Sequence, residues 1–417
     1  MSEEVQNKEA SLEEIVNNTS IADIYRAAKQ LDGIVSKTKL IESQFFSDLC
    51  GNTIYLKPEN LQKTGSFKLR GAYNKISQLT EEERKKGVIT ASAGNHAQGV
   101  AFAAQKLGCK AVICMPATTP ILKVEATKAY GAEVVLYGDT FDDAAAKSQE
   151  LQKKKGYVYI HPFNDEKVIA GQGTTALEII DDLKDVDAIL VPIGGGGFAS
   201  GVALACKAVN PHVKVIGVEP EGAACMENSF MKNEVSTLPA VDTVADGCAV
   251  KTPGDLTYAF CKKYLDQIIT VSEVEIMSAL LSLIEKHKLI AEGAGALSLA
   301  ALNKLPFKGK KVVAIISGGN IDISTIYALI DKAMMARSRV FCFSVLLADK
   351  PGQLLQVSQI LADENANVIK LDHNQSKVTD SFKKVALDIT VETNGREHVN
   401  SIIKSFKNAG FAVEKIY

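Results

Sequence analysis

Ala188-Ile189-Leu190-Val191-Pro192-Ile193-Gly194-Gly195-Gly196-Gly197-Phe198 opens the longest uncharged run of this 417-residue chain, a run that continues to Cys206. Its length suits a membrane span, which needs about 20 apolar residues. Pro192 and the four consecutive glycines break that reading, because both residue types interrupt a helix. A strand ending at Val191, a glycine loop and a helix fit better, and that is half of a βαβ unit. The same texture extends on both sides of this stretch. From Val88 onward, short β-branched runs alternate with longer helical patterns around a parallel sheet. The expected strands are Val88–Thr90, Ala111–Met115, Glu133–Tyr137, Val158–Ile160, Ala188–Val191, Lys214–Val218, Gln267–Val271 and Lys311–Ile316. Helices are expected over Ala97–Leu107, Leu122–Tyr130 with Gly131 as C-cap, and Asp142–Lys154. A Ser272/Glu275 capping box starts a further helix running to about His287.

The texture changes near Arg337. Strand Val340–Leu347, helix Gly352–Glu364, strands Val368–Asn374 and Val385–Glu392, helix Arg396–Ala409 and strand Ala412–Tyr417 follow in the order βαββαβ, a ferredoxin-like layout. Length alone suggests two or three domains. Hydrophobic residues at 46% and charged ones at 23% suit a globular protein with a large core and exclude the disordered class. A net charge of −2 marks no nucleic-acid or anionic-membrane surface, so a small-molecule partner is expected. Residues 1–20, acidic and polar, read as a flexible tail without the features of a secretory signal. The eight cysteines form no Cys-x-x-Cys pair, which points to reduced thiols and a cytoplasmic protein. His161, His212 and His287 show no metal-ligand spacing and take no role.

Three glycine-bearing loops follow strands, and in a parallel sheet ligands gather at the strands' carboxyl ends. In Gly194, Gly195, Gly196, Gly197 and Phe198, bare backbone N–H groups and a helix N-terminus can hold a phosphate. The Gly-Lys-Ser/Thr ending of a P-loop is missing, so a monophosphate is the simplest guest. Ser92-Ala93-Gly94-Asn95-His96 offers donors suited to a carboxylate, or Asn95 merely caps its helix. Ser317-Gly318-Gly319-Asn320 could give a hydroxyl to a ring nitrogen, or is a plain turn. Lys68, within Thr64-Gly65-Ser66-Phe67-Lys68-Leu69-Arg70-Gly71-Ala72, is a candidate imine-former if its surroundings favour the neutral amine. Arg70 next door could help disfavour the cation; alternatively Lys68 is a solvated helix lysine.

Together these segments resemble the fold-type II pyridoxal 5'-phosphate (PLP) enzymes, and within them the threonine ammonia-lyase (threonine dehydratase) family, over about Ile21 to Ala336. The fold class this implies is α/β, with two open parallel-sheet αβα domains over residues 21–336 and a smaller subdomain at about 64–161. Residues 340–417, with Asp349-Lys350-Pro351-Gly352-Gln353-Leu354, resemble an ACT domain. The resemblance implies an imine on Lys68 and Phe67 packed by the cofactor ring. It also implies Asn95 at the ring hydroxyl, Gly194 to Phe198 around the phosphate, and Ser317 at the pyridine nitrogen. Ser92, Ala93, Gly94, Asn95, His96 and Gly247 would line the substrate, Gly247 from a loop that a plain turn would equally explain.

The implied reaction is deamination of L-threonine to 2-oxobutanoate and ammonia, by β-elimination of water and hydrolysis of the resulting enamine. Alternatives are an L-serine ammonia-lyase giving pyruvate, or a catalytically dead amino-acid sensor, against which the intact Lys68 argues. Related serine racemases carry Ser immediately before Gly-Asn-His, where this chain has Ala93. A methyl moves no proton, which favours dehydration over racemisation. No side chain stands out as the acid that helps the hydroxyl leave, and the cofactor phosphate is the acid the resemblance implies. A cation site after the Gly-Val-Glu-Pro strand end would use Glu219 and Ala223, with Cys225 where relatives have an acidic ligand. An amino-acid effector is expected at Asp349, Gly352, Gln353 and Leu354, and a homo-oligomer, dimer or tetramer, is expected.

Overall fold

The computed structural model describes residues 3–374 and 383–416. It divides into two compact units, Met1–Asp322 and Ile323–Tyr417. The first unit contains strands β1 (Ile41–Glu42), β2 (Thr53–Pro58), β3 (Val88–Ala91), β4 (Ala111–Met115), β5 (Glu133–Leu136), β6 (Val158–Tyr159), β7 (Ala188–Pro192), β8 (Lys214–Pro220), β9 (Gln267–Val271) and β10 (Lys311–Ile316). The smaller sheet runs β5-β4-β3-β6 and is parallel throughout. The larger runs β1-β2-β10-β7-β8-β9, parallel except for β1 against β2. Helices cover the sheets, so β3, β4 and β7 are buried along their whole length and read as continuous apolar runs. The uncharged run of residues 188–206 is β7, the glycine turn and part of the helix Gly197–Val209. Among the described residues no helix is long and apolar enough to cross a membrane.

Two features of this unit differ from the expectation. The larger sheet has β2 beside β10, although no strand was expected before Val88. Its charged residue, Lys57, is fully buried and donates to Thr38 O at 2.7 Å and to Glu178 Oε2 at 2.6 Å. The second is the tail. Residues 3–18 form the helix Glu3–Asn18 rather than a flexible segment. Its apolar positions Leu12, Ile15 and Val16 recur at helical spacing and join the core around β7.

Lys68 begins a helix, Lys68–Ser77, that is held from both ends. Upstream, the Phe67 N–H donates to Ser317 O at 3.1 Å and the Gly319 N–H to Gly65 O at 2.9 Å, so the lysine and serine loops run side by side. Downstream, the fully buried Arg70 gives Nε and Nη2 to the Glu59 carboxylate, both at 2.8 Å, and Nη1 and Nη2 to Glu178, at 2.7 and 2.9 Å. Burial alone would raise the Glu59 carboxyl, but the charge and hydrogen bonds of Arg70, with Lys57 and Thr38, together outweigh it and hold the group below the usual range. The helix Glu166–Asp182 packs against this backbone so closely that a Cβ on Gly171 would lie 2.6 Å from Arg70 O.

The second unit begins with the helix Ile323–Ala336. It continues with β11 (Val340–Ala348), β12 (Asn367–Asn374), β13 (Lys384–Glu392) and β14 (Val413–Lys415) in an antiparallel sheet ordered β12-β13-β11-β14. Helices Gln353–Asp363 and Arg396–Asn408 complete the βαββαβ order, over a core that includes Phe341, Phe343, Ile389 and Phe406. Tyr417, the expected end of the last strand, lies outside the described residues.

Removing one partner of the buried ion group strands the others. Glu59→Ala should therefore cost ~3–5 kcal/mol in urea unfolding. Asp181→Ala, which breaks an exposed pair with Lys184, should cost under ~1 kcal/mol. Similar losses for the two would refute this account of the core.

Candidate active site

Four of the segments singled out from the sequence meet in the first unit. Phe67 stacks on Phe198 with ring centroids 3.8 Å apart and an interplanar angle of 6°, joining the lysine segment to the glycine turn. Both rings are buried. Lys68 Nζ lies 5.3 Å from the centroid of the Phe67 ring and donates to Pro162 O at 2.9 Å. Burial lowers its pKa from the usual 10.5 to about 8, partly opposed by Cys248 and Glu292 nearby. Arg70 plays no part in this, contrary to the expectation from its position. Its guanidinium is committed to Glu59 and Glu178, and residues two apart on a helix do not share a face.

The glycine turn shows a clear division of labour. Its carbonyls face protein donors: Cys225 Sγ to Gly194 O at 3.6 Å, Thr257 Oγ1 to Gly195 O at 2.6 Å, and Ser200 Oγ to Gly196 O at 2.8 Å. Among the described residues no acceptor takes the N–H groups of Gly194, Gly195, Gly196, Gly197 or Phe198. The glycines also have a packing reason. Gly196 sits at φ 93°, and a Cβ on Gly195 would strike the Phe163 ring while one on Gly197 would lie 2.7 Å from Phe163 O. Glycine content alone is thus explained by packing. The unclaimed N–H groups at the start of the helix Gly197–Val209 are what suit an anion.

Asn95 does not cap its helix. The N-cap is Gly94 and no side chain closes it. Instead Asn95 Nδ2 donates to Glu292 Oε1 at 2.6 Å, and Asn95 Oδ1 accepts from Asn320 Nδ2 at 2.7 Å. Ser92, Ala93 and Gly94 form the partly exposed rim before it. His96 is buried with Nε2 on Ile160 O at 2.9 Å, and burial pulls its pKa down to about 3, so the ring is neutral. Ser317 is buried and its hydroxyl donates to Ala294 O at 3.2 Å. Gly247, in the turn Asp246–Cys248, faces Ala294 and Glu292.

The remaining expected positions have other partners. Glu219, at the end of β8, accepts the N–H groups of Met226 and Glu227 at 2.9 and 2.8 Å and so caps the helix Cys225–Lys232. Burial pushes its carboxyl up to about 8. Ala223 is buried in the adjoining turn, and no cluster of three His, Cys, Asp or Glu side chains suited to a metal occurs among the described residues. Asp349, Gly352, Gln353 and Leu354 belong to the second unit, where Gly352, at φ 92°, precedes the helix Gln353–Asp363 and Leu354 is exposed.

Sequence reasoning missed three parts of the site. Pro162 and Phe163 come three and four residues after β6 ends at Tyr159, and that place beyond a strand end is a usable signal. His161 Nδ1 holds their turn by accepting the N–H groups of Phe163 and Asn164 at 3.2 and 2.8 Å, so a histidine left without a role has a structural one. Cys248 and Glu292 come from distant segments and carried no local signal.

A depressed lysine, an N–H-lined turn, a carboxamide and a buried hydroxyl form a donor set that fits a phosphorylated aromatic aldehyde. Such a site defines an enzyme using pyridoxal 5'-phosphate. The chain belongs to the pyridoxal-phosphate dependent enzyme family, whose model matches residues 31–318. It is 48% identical to an L-threonine ammonia-lyase of Thermotoga maritima over 397 residues, 94% of this chain and 98% of that protein. It is 49% identical to the catabolic L-threonine dehydratase TdcB of Escherichia coli over 74% of this chain and 94% of that one. Among solved structures, threonine deaminase isoform 2 of Solanum lycopersicum superposes with a TM-score of 0.73 at 42% identity, covering 78% of this chain and 89% of its own. Maize serine racemase gives 0.72 at 36%, covering 76% and 98%. The first unit thus has the fold-type II architecture, and the antiparallel sheet of the second fits an ACT-like domain.

Because Lys68 is neutral only above its lowered pKa, cofactor-free protein should capture pyridoxal 5'-phosphate faster as pH rises, with a midpoint at about 8. Stopped-flow absorbance measures this. A midpoint at the value of an exposed lysine would contradict the assigned environment.

Proposed function

We propose that this chain deaminates L-threonine to 2-oxobutanoate and ammonia: water is eliminated first and is taken up again when the resulting enamine hydrolyses. The observation that carries the reading is the meeting of the depressed Lys68 amine with the unclaimed N–H groups of Gly194 to Phe198 across the Phe67–Phe198 stack. Support also comes from relatives named for threonine that match nearly their full length.

Bound pyridoxal 5'-phosphate supplies an electron sink that acidifies the substrate Cα–H bond. Lys68 would hold it through Nζ, and the free Lys68 amine would take the Cα proton. The N–H groups of Gly194 to Phe198 would hold its phosphate, with Asn95 toward its ring hydroxyl and Ser317 toward its ring nitrogen. A neutral serine, unlike an aspartate, would not favour a protonated ring nitrogen, which would favour prompt loss of a β-group. Ser92 to His96 orient the substrate carboxylate, with Gly247 lining the same space. Ala93 offers no proton to Cα, so proton movement there falls to Lys68 alone. The hydroxyl leaves as water on taking up a proton, for which the cofactor phosphate would be the donor, and the released enamine takes up water to give the 2-oxo acid and ammonia.

Residues 21–336 form the catalytic part in this proposal and 340–417 a regulatory part, where an amino-acid effector would meet Asp349, Gly352, Gln353 and Leu354. The protein works as a cytoplasmic homo-oligomer. L-Serine, which lacks one methyl, is a weaker substrate yielding pyruvate, since a methyl is worth only ~1–3 kcal/mol of discrimination.

A 2-oxo acid assay on both substrates, with and without branched-chain amino acids, tests the reading. Threonine should exceed serine in kcat/KM by ~10-fold or more. Lys68→Ala should abolish turnover. A clear preference for serine, or an active Lys68→Ala protein, contradicts it.

A further inference from the structure

Glu292 has no role in the chemistry described above. It is the N-cap of the helix Gly293–Ala300, yet its side chain makes no cap bond. Its Oε1 accepts from Asn95 Nδ2 at 2.6 Å, and Oε2 has no hydrogen-bond partner among the described residues. A side chain at Gly318, next to Ser317, would collide with this carboxyl, and a Cβ on Gly247 would lie 3.6 Å from it. The carboxyl therefore sits between the Asn95 amide and the Ser317 turn.

A chain of hydrogen bonds fixes which way the Asn95 amide faces. Thr64 O can only accept, so Asn320 presents Nδ2 to it, at 2.7 Å. The same Nδ2 meets Asn95 at 2.7 Å, so Asn95 turns its oxygen there and its NH₂ group toward Glu292. Glu292 ends the chain as acceptor. The charged and titratable groups around it are Asp246 and Cys248 from the Asp246–Cys248 turn, Lys68 from its helix, and Lys123 from the helix Ile121–Lys128. Burial first, then Asp246, raise the carboxyl, while Asn95, Lys123 and Lys68 oppose them. The result is about 7.

We propose that Glu292 is a positioning residue for the cofactor: it holds the Asn95 NH₂ group toward the ring's hydroxyl edge, and by gaining or losing one proton it changes the ring's electronic state. This rests on the reading that Lys68 carries pyridoxal 5'-phosphate. An ionised acceptor draws the Asn95 hydrogens more strongly, about twice as strongly as a neutral one. It also places negative charge beside the ring and so disfavours further negative charge on a ring oxygen bonded to Asn95. Protonation reverses both effects.

The test is the visible absorbance of the holoenzyme, titrated through neutral pH without substrate. The wild type should show a one-proton change with a midpoint at about 7. Glu292→Gln, which can still accept from Asn95, should keep the band and lose the change. Asp246→Asn, which removes a repelling charge, should move the midpoint down. This second variant decides the matter if Glu292→Gln does not fold. A wild-type band that does not titrate, a Glu292→Gln band that still does, or an unmoved midpoint in Asp246→Asn overturns the proposal. A wild type with no visible band refutes instead the cofactor reading on which it rests.

Discussion

The buried contact between Arg70 and the carboxylates of Glu59 and Glu178 sets the position of everything around the site. A guanidinium, two carboxylates and the Lys57 ammonium are tolerated in the interior because each is paired within hydrogen-bonding distance. The fork of Arg70 needs several acceptors at fixed angles, and these come from the end of β2 and from the helix Glu166–Asp182. Its helix is thereby fixed in place, with Lys68 at the first position. The two neighbouring basic residues end in opposite states. Arg70 stays charged because carboxylates surround it, and burial depresses the Lys68 pKa with no carboxylate bonded to Nζ.

That arrangement places a nucleophilic amine where three loops can serve it. The loop 64–67 runs beside 317–320, and Phe67 stacks on Phe198, so the lysine, serine and glycine segments are mutually registered before any ligand arrives. At the glycine turn the carbonyls are occupied by Cys225, Thr257 and Ser200, which leaves an outward array of N–H dipoles. Pre-oriented donors of this kind need not reorganise to receive an anion. Asn95 and Glu292 add a hydrogen-bonded pair whose carboxyl is raised by burial to about 7.

Much of this was legible in the sequence. β3, β4 and β7 stood out because strands buried on two faces must be apolar throughout. The glycine, serine and asparagine loops stood out because they follow strands. β2 was missed because Lys57 interrupts its apolar pattern, and only the pairing with Glu178 explains how that lysine is buried. Arg70 was misjudged because adjacency in sequence is not adjacency on a helix. Asn95 was given a cap as its ordinary alternative, and only the tertiary contact with Glu292 removes that option. The N-terminal helix was taken for a tail because its few apolar residues gain meaning only against the core they touch. Cys248 and Glu292 enter the site through long-range packing, which no local pattern encodes.

The central claim is that one lysine, Lys68, carries the cofactor and does the proton transfer at Cα. Borohydride reduction of the holoenzyme followed by peptide mass mapping tests it most directly. The account predicts a single pyridoxyl group on the peptide that contains Lys68. A label on another lysine in a protein that turns over threonine would contradict it.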